Sequence, residues 1–207
     1  MNNPLYLFVG KSASGKTTVA DALEEKYGLK QTSSYTTRPP RYDGEIAHIF
    51  ITDEEFDALE NIVAYTEYNG FRYAATSEQI DNVSIYVVDI PGTEMLLEKY
   101  LTERPIVMIY FDASVRTRID RMIDRHDPDV SIVSRLYNDE SSDWLQELNK
   151  LAWHYQHNVG KNVEVHSIDA NHHLENVLKQ IGEYINFNEA EHCNGFSPIQ
   201  SNGGGNI

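Results

Sequence analysis

Gly10, Lys11, Ser12, Ala13, Ser14, Gly15, Lys16 and Thr17 fit the G-x-x-x-x-G-K-[ST] pattern at every fixed position. Residues of these types at this spacing handle phosphate. The glycines admit backbone conformations that a side chain forbids, so successive N–H groups turn inward around phosphate oxygens at the positive end of the next helix. Lys16 then reaches the β- and γ-phosphates of a bound polyphosphate, and the Thr17 hydroxyl is placed to ligate Mg²⁺, with Thr18 beside it. Guanidinium groups form a second set. Arg38 and Arg41 stand in Ser33-Ser34-Tyr35-Thr36-Thr37-Arg38-Pro39-Pro40-Arg41, where two prolines forbid a helix. Either the stiff segment presents both guanidiniums to a phosphate as forks, or it is a solvated proline turn. Further on, Arg118, Arg121 and Arg125 fall at i, i+3 and i+7 of one helix, a face that is either phosphate-facing or a solvated stripe. Asp89 ends a core strand near the glycine loop, where it either holds Mg²⁺, directly or through water, or caps the helix that follows.

The elements that must position these residues are legible in outline. Leu5–Val9 is a short apolar run of buried-strand character, and Val19, Leu23 and Tyr27 recur behind the loop at helical spacing before Gly28 stops the helix. Strand, loop and helix thus follow in the order that the motif requires. A short strand is expected within Leu29–Ser34, another over Ala47–Ile51, and a helix capped by Thr52 and Glu55 through Leu59. Asn69-Gly70 between the runs Ile62–Tyr68 and Phe71–Ala75 predicts a hairpin. The chain then returns to an α/β rhythm: strand Val83–Asp89, a helix from Pro91 to Tyr100, strand Pro105–Phe111, and an arginine-bearing helix from Ser114. A long helix is expected from Val130 to about Asn158, with Trp144 and Trp153 as core anchors, then strand Val163–Ile168 and a final helix capped by Asn171. His172 and His173 are adjacent, hence on different faces, and read as surface residues.

Among 207 residues, 17 Lys and Arg face 32 Asp and Glu, a formal net charge of −15. Such a balance argues against general affinity for nucleic acid or anionic membranes and makes any arginine cluster conspicuous. The lone cysteine, Cys193, and the lack of an apolar run of ~18 residues lead to the expectation of a soluble, cytoplasmic protein. Residues 186–207 have little apolar content and read as a disordered tail.

Over roughly residues 4–185 the order of parts resembles the guanylate kinase family of nucleoside monophosphate kinases. The glycine loop and the Ser-x-Thr-Thr-Arg-x-Pro-Arg pattern of Ser34–Arg41 carry most of the resemblance, supported by Glu54-Glu55-Phe56, Gly70–Tyr73, Asp89 and the later arginines. It implies an α/β, P-loop NTPase three-layer fold with a parallel core sheet, an inserted monophosphate-binding lobe at about 34–76 and a helical lid at about 121–135. By position, ATP would lie on Gly10, Ser12, Ala13, Ser14, Gly15, Lys16, Thr17 and Thr18, with Mg²⁺ on Thr17 and Asp89. Arg38, Arg41 and Tyr73 would hold the phosphate of the acceptor, and Ser34 would touch its base. Lys16, Arg38, Arg121, Arg125 and Arg135 would neutralise the transferring group. The partners implied are small-molecule nucleotides, and the chain a monomer or homodimer.

Three positions depart from the family pattern. His48 stands where a tyrosine usually meets the acceptor phosphate. Ala64 replaces a glutamate that reads guanine, and Pro91 replaces an acid that assists it. Glu67 takes over that contact only if the strand is bulged between 64 and 67, because the two positions otherwise face opposite sides. The resemblance therefore implies transfer of the ATP γ-phosphate to a (deoxy)nucleoside monophosphate, (d)GMP first. A non-guanine or modified base is the alternative within that chemistry. Outside it stand a P-loop kinase of another small molecule and a non-catalytic guanylate kinase-like interaction module.

Overall fold

β1 (Leu5–Val9) is buried at every residue and feeds directly into the glycine loop and α1 (Lys16–Tyr27). A computed structural model of the chain describes residues 3–40, 43–45 and 48–185, so Arg41, Ala47 and the tail 186–207 with Cys193 lie outside the described residues. The chain continues through β2 (Ser34–Thr36), β3 (His48–Phe50), α2 (Asp53–Asp57), β4 (Ile62–Tyr68), β5 (Phe71–Thr76) and α3 (Ser77–Asp81). Then come β6 (Ile85–Val87), α4 (Ile90–Lys99), β7 (Ile106–Asp112), α5 (Val115–Asp124) and α6 (Asp129–Asp139). Last are α7 (Trp144–His154), a π-helical turn (Tyr155–Val159), β8 (Val163–Asp169) and α8 (Leu174–Ile181).

The core is a four-stranded parallel sheet in the order β6-β1-β7-β8. Parallel strands covered on both faces read as unbroken apolar runs, and β1 and β7 do so. Alternation sends Leu5, Leu7 and Val9 to one face, where Leu96 and Leu97 of α4 and Leu148 of α7 pack. Tyr6 and Phe8 go to the other, against Val19 and Leu23 of α1 and Val177, Leu178 and Ile181 of α8. The result is three layers, helices on both sides of one sheet.

The second sheet, β3-β2-β5-β4, is parallel between β2 and β3 and antiparallel elsewhere. Asn69 (φ 51°) and Gly70 (φ 76°) both sit at positive φ, as a tight hairpin turn between β4 and β5 demands. Thr52 caps α2 with the reciprocal Glu55 bond foreseen from sequence. A bulge does occur in β4, but between Ile62 and Ala64; from Ala64 to Tyr68 the register is regular, so Ala64 and Glu67 remain on opposite faces.

Several expected elements differ. The helix expected over 130–158 breaks after Asp139, because Asp143 caps a new helix by accepting from the Gln146 N–H. Trp153 is not a core anchor: it is 58% exposed and stacks on His157 at 5.0 Å. Asn171 does not cap α8; its side chain accepts from the Ser114 N–H and the Thr117 hydroxyl, and His173 takes the capping position. The strand expected before Ser34 reduces to an isolated bridge at Gln31, with β2 starting at Ser34. Among the described residues no helix is long and apolar enough to cross a membrane.

One side chain ties the end of α3 to the start of β1. Arg104 donates to the carbonyls of Asn3 and Pro4 ahead of β1 and of Ile80 and Val83 around the end of α3. Arg104→Ala leaves those carbonyls unpaired and is expected to cost on the order of 3 kcal/mol, read as a drop in urea midpoint.

Candidate active site

The glycine loop leaves β1 at Gly10, pressed against β7. A Cβ there would meet the Phe111 carbonyl oxygen and the Ser14 hydroxyl at 2.9 Å each, so no larger residue fits. Ala13 (φ 60°) and Gly15 (φ 99°) hold left-handed conformations that fold the loop back over the start of α1. Lys16 lies along the inside of the loop, donating to the carbonyls of Gly10 (2.6 Å) and Lys11 (3.0 Å) and to the Ser14 hydroxyl (3.3 Å). Burial lowers its pKa to about 8, partly offset by Asp139 and Asp89. Thr17 and Thr18 stand exposed on the first turn of α1.

The arginine face of α5 turns toward this loop. Arg121 donates to the carbonyls of Ala13 (3.3 Å), Ser14 (3.0 Å) and Ala170 (2.7 Å), and so braces the loop from outside. Arg118 is wholly buried and pairs with Asp139 (2.9 Å) and Glu140 (2.6 Å) at the end of α6. Asp139 in turn accepts from the Ser12 N–H at 2.7 Å, and Lys11 pairs with Glu140 at 2.9 Å. Arg125 is held by Asp127, which also stands 3.9 Å from Arg135. The stripe therefore runs from the wholly buried Arg118 through the half-buried Arg121 to the exposed Arg125, each guanidinium with a partner.

Residues from the small sheet converge from the other side. Arg38 is closed as a fork on Glu45, at 2.8 and 3.1 Å, with both side chains buried. Ser34 shares a 3.0 Å hydrogen bond with His48, whose ring meets that of Tyr73 edge to face at 5.6 Å. Tyr73 opposes Thr66 across β4 and β5, and the Thr66 hydroxyl reaches Asp89. Asp89 takes the bland role considered above: it caps α4 by accepting from the Gly92 N–H at 2.9 Å. Burial raises its pKa, and Lys16 pulls it back. Capping does not remove it from the site, because its carboxylate lines a cavity.

Two cavities meet at the glycine loop. One, of about 570 Å³, runs along Ala13–Val19 past Arg121, Asp124 and Arg125 to His172 and His173. The other, of about 770 Å³, extends from Gly10, Ser12 and Lys16 to Arg38, Tyr73, Asp89 and Arg135 and on to Tyr68, Trp144 and Glu147. Lys16 lines both. Trp144 thus packs on the core and also faces a cavity, and the two histidines read as plain surface border the first one. Ser34 and His48 support the second cavity from behind, Glu67 lies at its exposed rim, and Ala64, 1% exposed, is absent from its wall. A Cβ on Gly92 would come within 4.0 Å of that of Ala64, so α4 covers the position. Asp139, Glu140, Glu45 and Thr66 carry no local sequence signal; their partners lie between 7 and 129 positions away.

This arrangement has relatives. The chain is 31% identical over 83 residues to a guanylate kinase of Fusobacterium nucleatum, and 30% identical over 93 residues to one of Neisseria gonorrhoeae. Those stretches are 37% and 42% of this chain and 44% and 45% of the relatives, so the match spans less than half their length. The crystal structure of a guanylate kinase from Anaplasma phagocytophilum superposes with a TM-score of 0.52 at 19% identity, over 88% of this chain and 84% of that one. The fold is guanylate kinase-like. No family model matches the chain. Within a guanylate kinase-like fold the four-stranded parallel sheet carries the glycine loop at its centre, as the sequence led one to expect.

The buried position of Lys16 has a consequence for stability. Its folded pKa lies below the ordinary 10.5, so between about pH 8 and 10.5 the unfolded chain binds more protons than the folded one. Stability contributed at this site therefore rises with pH across that window. Relative to Lys16→Met, the wild type is expected to gain stability from pH 8 toward 10.5, checked by urea unfolding of both at each pH.

Proposed function

We propose that the chain is an ATP-dependent nucleoside monophosphate kinase. Its donor lies on the glycine loop in the cavity along α1, and its acceptor lies in the cavity bounded by Arg38, Tyr73 and Asp89. The observation that carries this reading is that one ammonium, Lys16, lines both cavities. A γ-phosphate held there faces an acceptor phosphate held by Arg38. Phosphoryl transfer asks little covalent work of a protein; it asks for positioning and for positive charge around the equatorial oxygens. Lys16 supplies that charge at the loop, and Arg125 and Arg135 supply it from α5 and α6. No general base is required, since the attacking group is already an anionic phosphate oxygen. Arg41 belongs to the same segment as Arg38 and is proposed to share its role.

Thr17 and Asp89 offer hard oxygen donors suited to Mg²⁺, and the buried Asp89 carboxylate is short of positive charge. When bound, Mg²⁺ would neutralise and orient the β- and γ-phosphates. Among the described residues no group of three or more His, Cys, Asp or Glu forms a metal cage, consistent with a cation that shares its ligands with substrate.

For the base there are two readings. The guanylate kinase-like fold favours (d)GMP. The buried, covered Ala64 and the neutral Pro91 in the cavity wall favour a base other than guanine, or a modified one, because guanine's N–H groups lack carboxylates at those positions. Wide aromatic walls from Tyr65, Tyr68, Tyr73 and Trp144 suit several bases.

An ADP-release assay across ribo- and deoxyribonucleoside monophosphates tests both levels. Lys16→Met is expected to lose about 10²–10³ or more in turnover while folding normally, the usual worth of a preorganised charge. Near-normal turnover in that variant would remove the kinase reading. Wild-type kcat/KM for dGMP is expected to exceed that for dTMP, dUMP, dCMP and dAMP by less than ~10³, about 4 kcal/mol. A larger preference removes the second reading of the base.

A further inference from the structure

We propose that Asp139 is an internal stand-in for a donor phosphate: without nucleotide its carboxylate occupies the glycine loop, and the donor binds by displacing it. This rests on the donor-site reading above and goes beyond it.

The amides of a glycine loop are donors aimed at phosphate oxygens. Here the Ser12 N–H is already taken, at 2.7 Å, by an oxygen of Asp139. The same oxygen receives Arg118 at 2.9 Å, and Asp139 is 2% exposed. Lys16, meanwhile, is folded onto loop carbonyls and feels Asp139 more than any other charge. A carboxylate with an amide, a guanidinium and a nearby ammonium around it reproduces what a phosphate oxygen would find at this spot. It satisfies donors that would otherwise be buried without partners. It also places a negative charge where the second cavity opens onto the loop beside Lys16, the end of the donor site at which a terminal phosphate would meet the acceptor, and two anions do not share one donor in a part-buried site.

Displacement reaches beyond the loop. Asp139 ends α6, and Arg135 lies four residues earlier on the same helix, one turn away and on the same face. Arg135 lines the acceptor cavity. When phosphate takes the Ser12 N–H, the last turn of α6 keeps only the Lys11–Glu140 pair as its tie to the loop, and the helix that carries Arg135 is freer to move. Donor binding and the placement of Arg135 are thus coupled through one hydrogen bond.

The test measures inorganic tripolyphosphate and ATP binding to the full chain by calorimetry, in the wild type, Asp139→Asn and Glu140→Gln. Asp139→Asn keeps the shape and removes the charge; it is expected to tighten tripolyphosphate at least ~10-fold, about 1.4 kcal/mol. Glu140→Gln removes an equal charge that also pairs with Arg118, and with Lys11, but does not touch the amide, and is expected to change affinity less than ~3-fold, about 0.65 kcal/mol. Unchanged or weaker binding in Asp139→Asn, or an equal gain in both variants, overturns the proposal. A wild type that binds neither ligand instead overturns the donor-site reading. Should Asp139→Asn not fold, the wild type itself decides by NMR. Tripolyphosphate is expected to shift the Ser12 amide and move the Asp139 carboxyl carbon toward a solvated aspartate. A carboxyl resonance that stays in place while tripolyphosphate binds refutes displacement.

Discussion

The resting position of the glycine loop hangs on one wholly buried guanidinium. Arg118 reaches from α5 to Asp139 and Glu140 at the end of α6, and those two acids grip the loop through the Ser12 N–H and Lys11. Charges this deep are retained only when paired and hydrogen-bonded. Within the cluster, loss of Arg118 or Asp139 leaves the other's charge buried with one partner fewer. Arg121 completes the support from the opposite side by binding the loop's carbonyls. Loop, α5 and α6 are joined by side chains rather than by backbone, which lets helices carrying the arginines shift without unravelling the sheet beneath them.

An acidic protein with cations gathered around a glycine loop must hold them in place, and the structure does so by pairing. The cations at the site are each opposed by a carboxylate or a carbonyl: Arg38 by Glu45, Arg125 by Asp127, Lys11 by Glu140, Lys16 by the loop itself. Exposed pairs such as Arg116 with Asp120 add little stability. The buried pairs matter differently, because they hold guanidiniums in fixed places that an incoming phosphate can take over from the carboxylates.

The acceptor side is set by the hairpin. Regular alternation from Ala64 to Tyr68 turns Thr66 toward Asp89 and sends Glu67 to the rim. Because α4 lies over Ala64, the strand presents a hydroxyl and aromatic rings to the cavity where a carboxylate would otherwise read a base. Ser34 and His48 meet on adjacent parallel strands and steady Tyr73 through ring contact.

Local chemistry in the sequence by itself determined the glycine loop between β1 and α1, the Thr52–Glu55 cap, the Asn69-Gly70 hairpin and the α/β order. Each is written within a few neighbouring residues, as a φ > 0 requirement, a hydroxyl three before an acid, or an apolar period. Periodicity failed where a distant partner mattered. The apolar spacing of residues 130–158 predicts one helix, yet Asp143 starts a second, and the acids between the two face a buried arginine 21 and 22 positions away. Whether the α5 arginines formed a solvated stripe or a site was undecidable from their spacing, because i, i+3 and i+7 fix a face but not what it faces. Asp89 was either cap or site residue in the sequence; only packing shows it to be a cap that also lines a cavity. The occupants of the cations, Glu45 on Arg38 and Asp139 on the loop, were decided by tertiary structure alone, since a charge pair is a property of distance in space and a sequence records only distance along the chain.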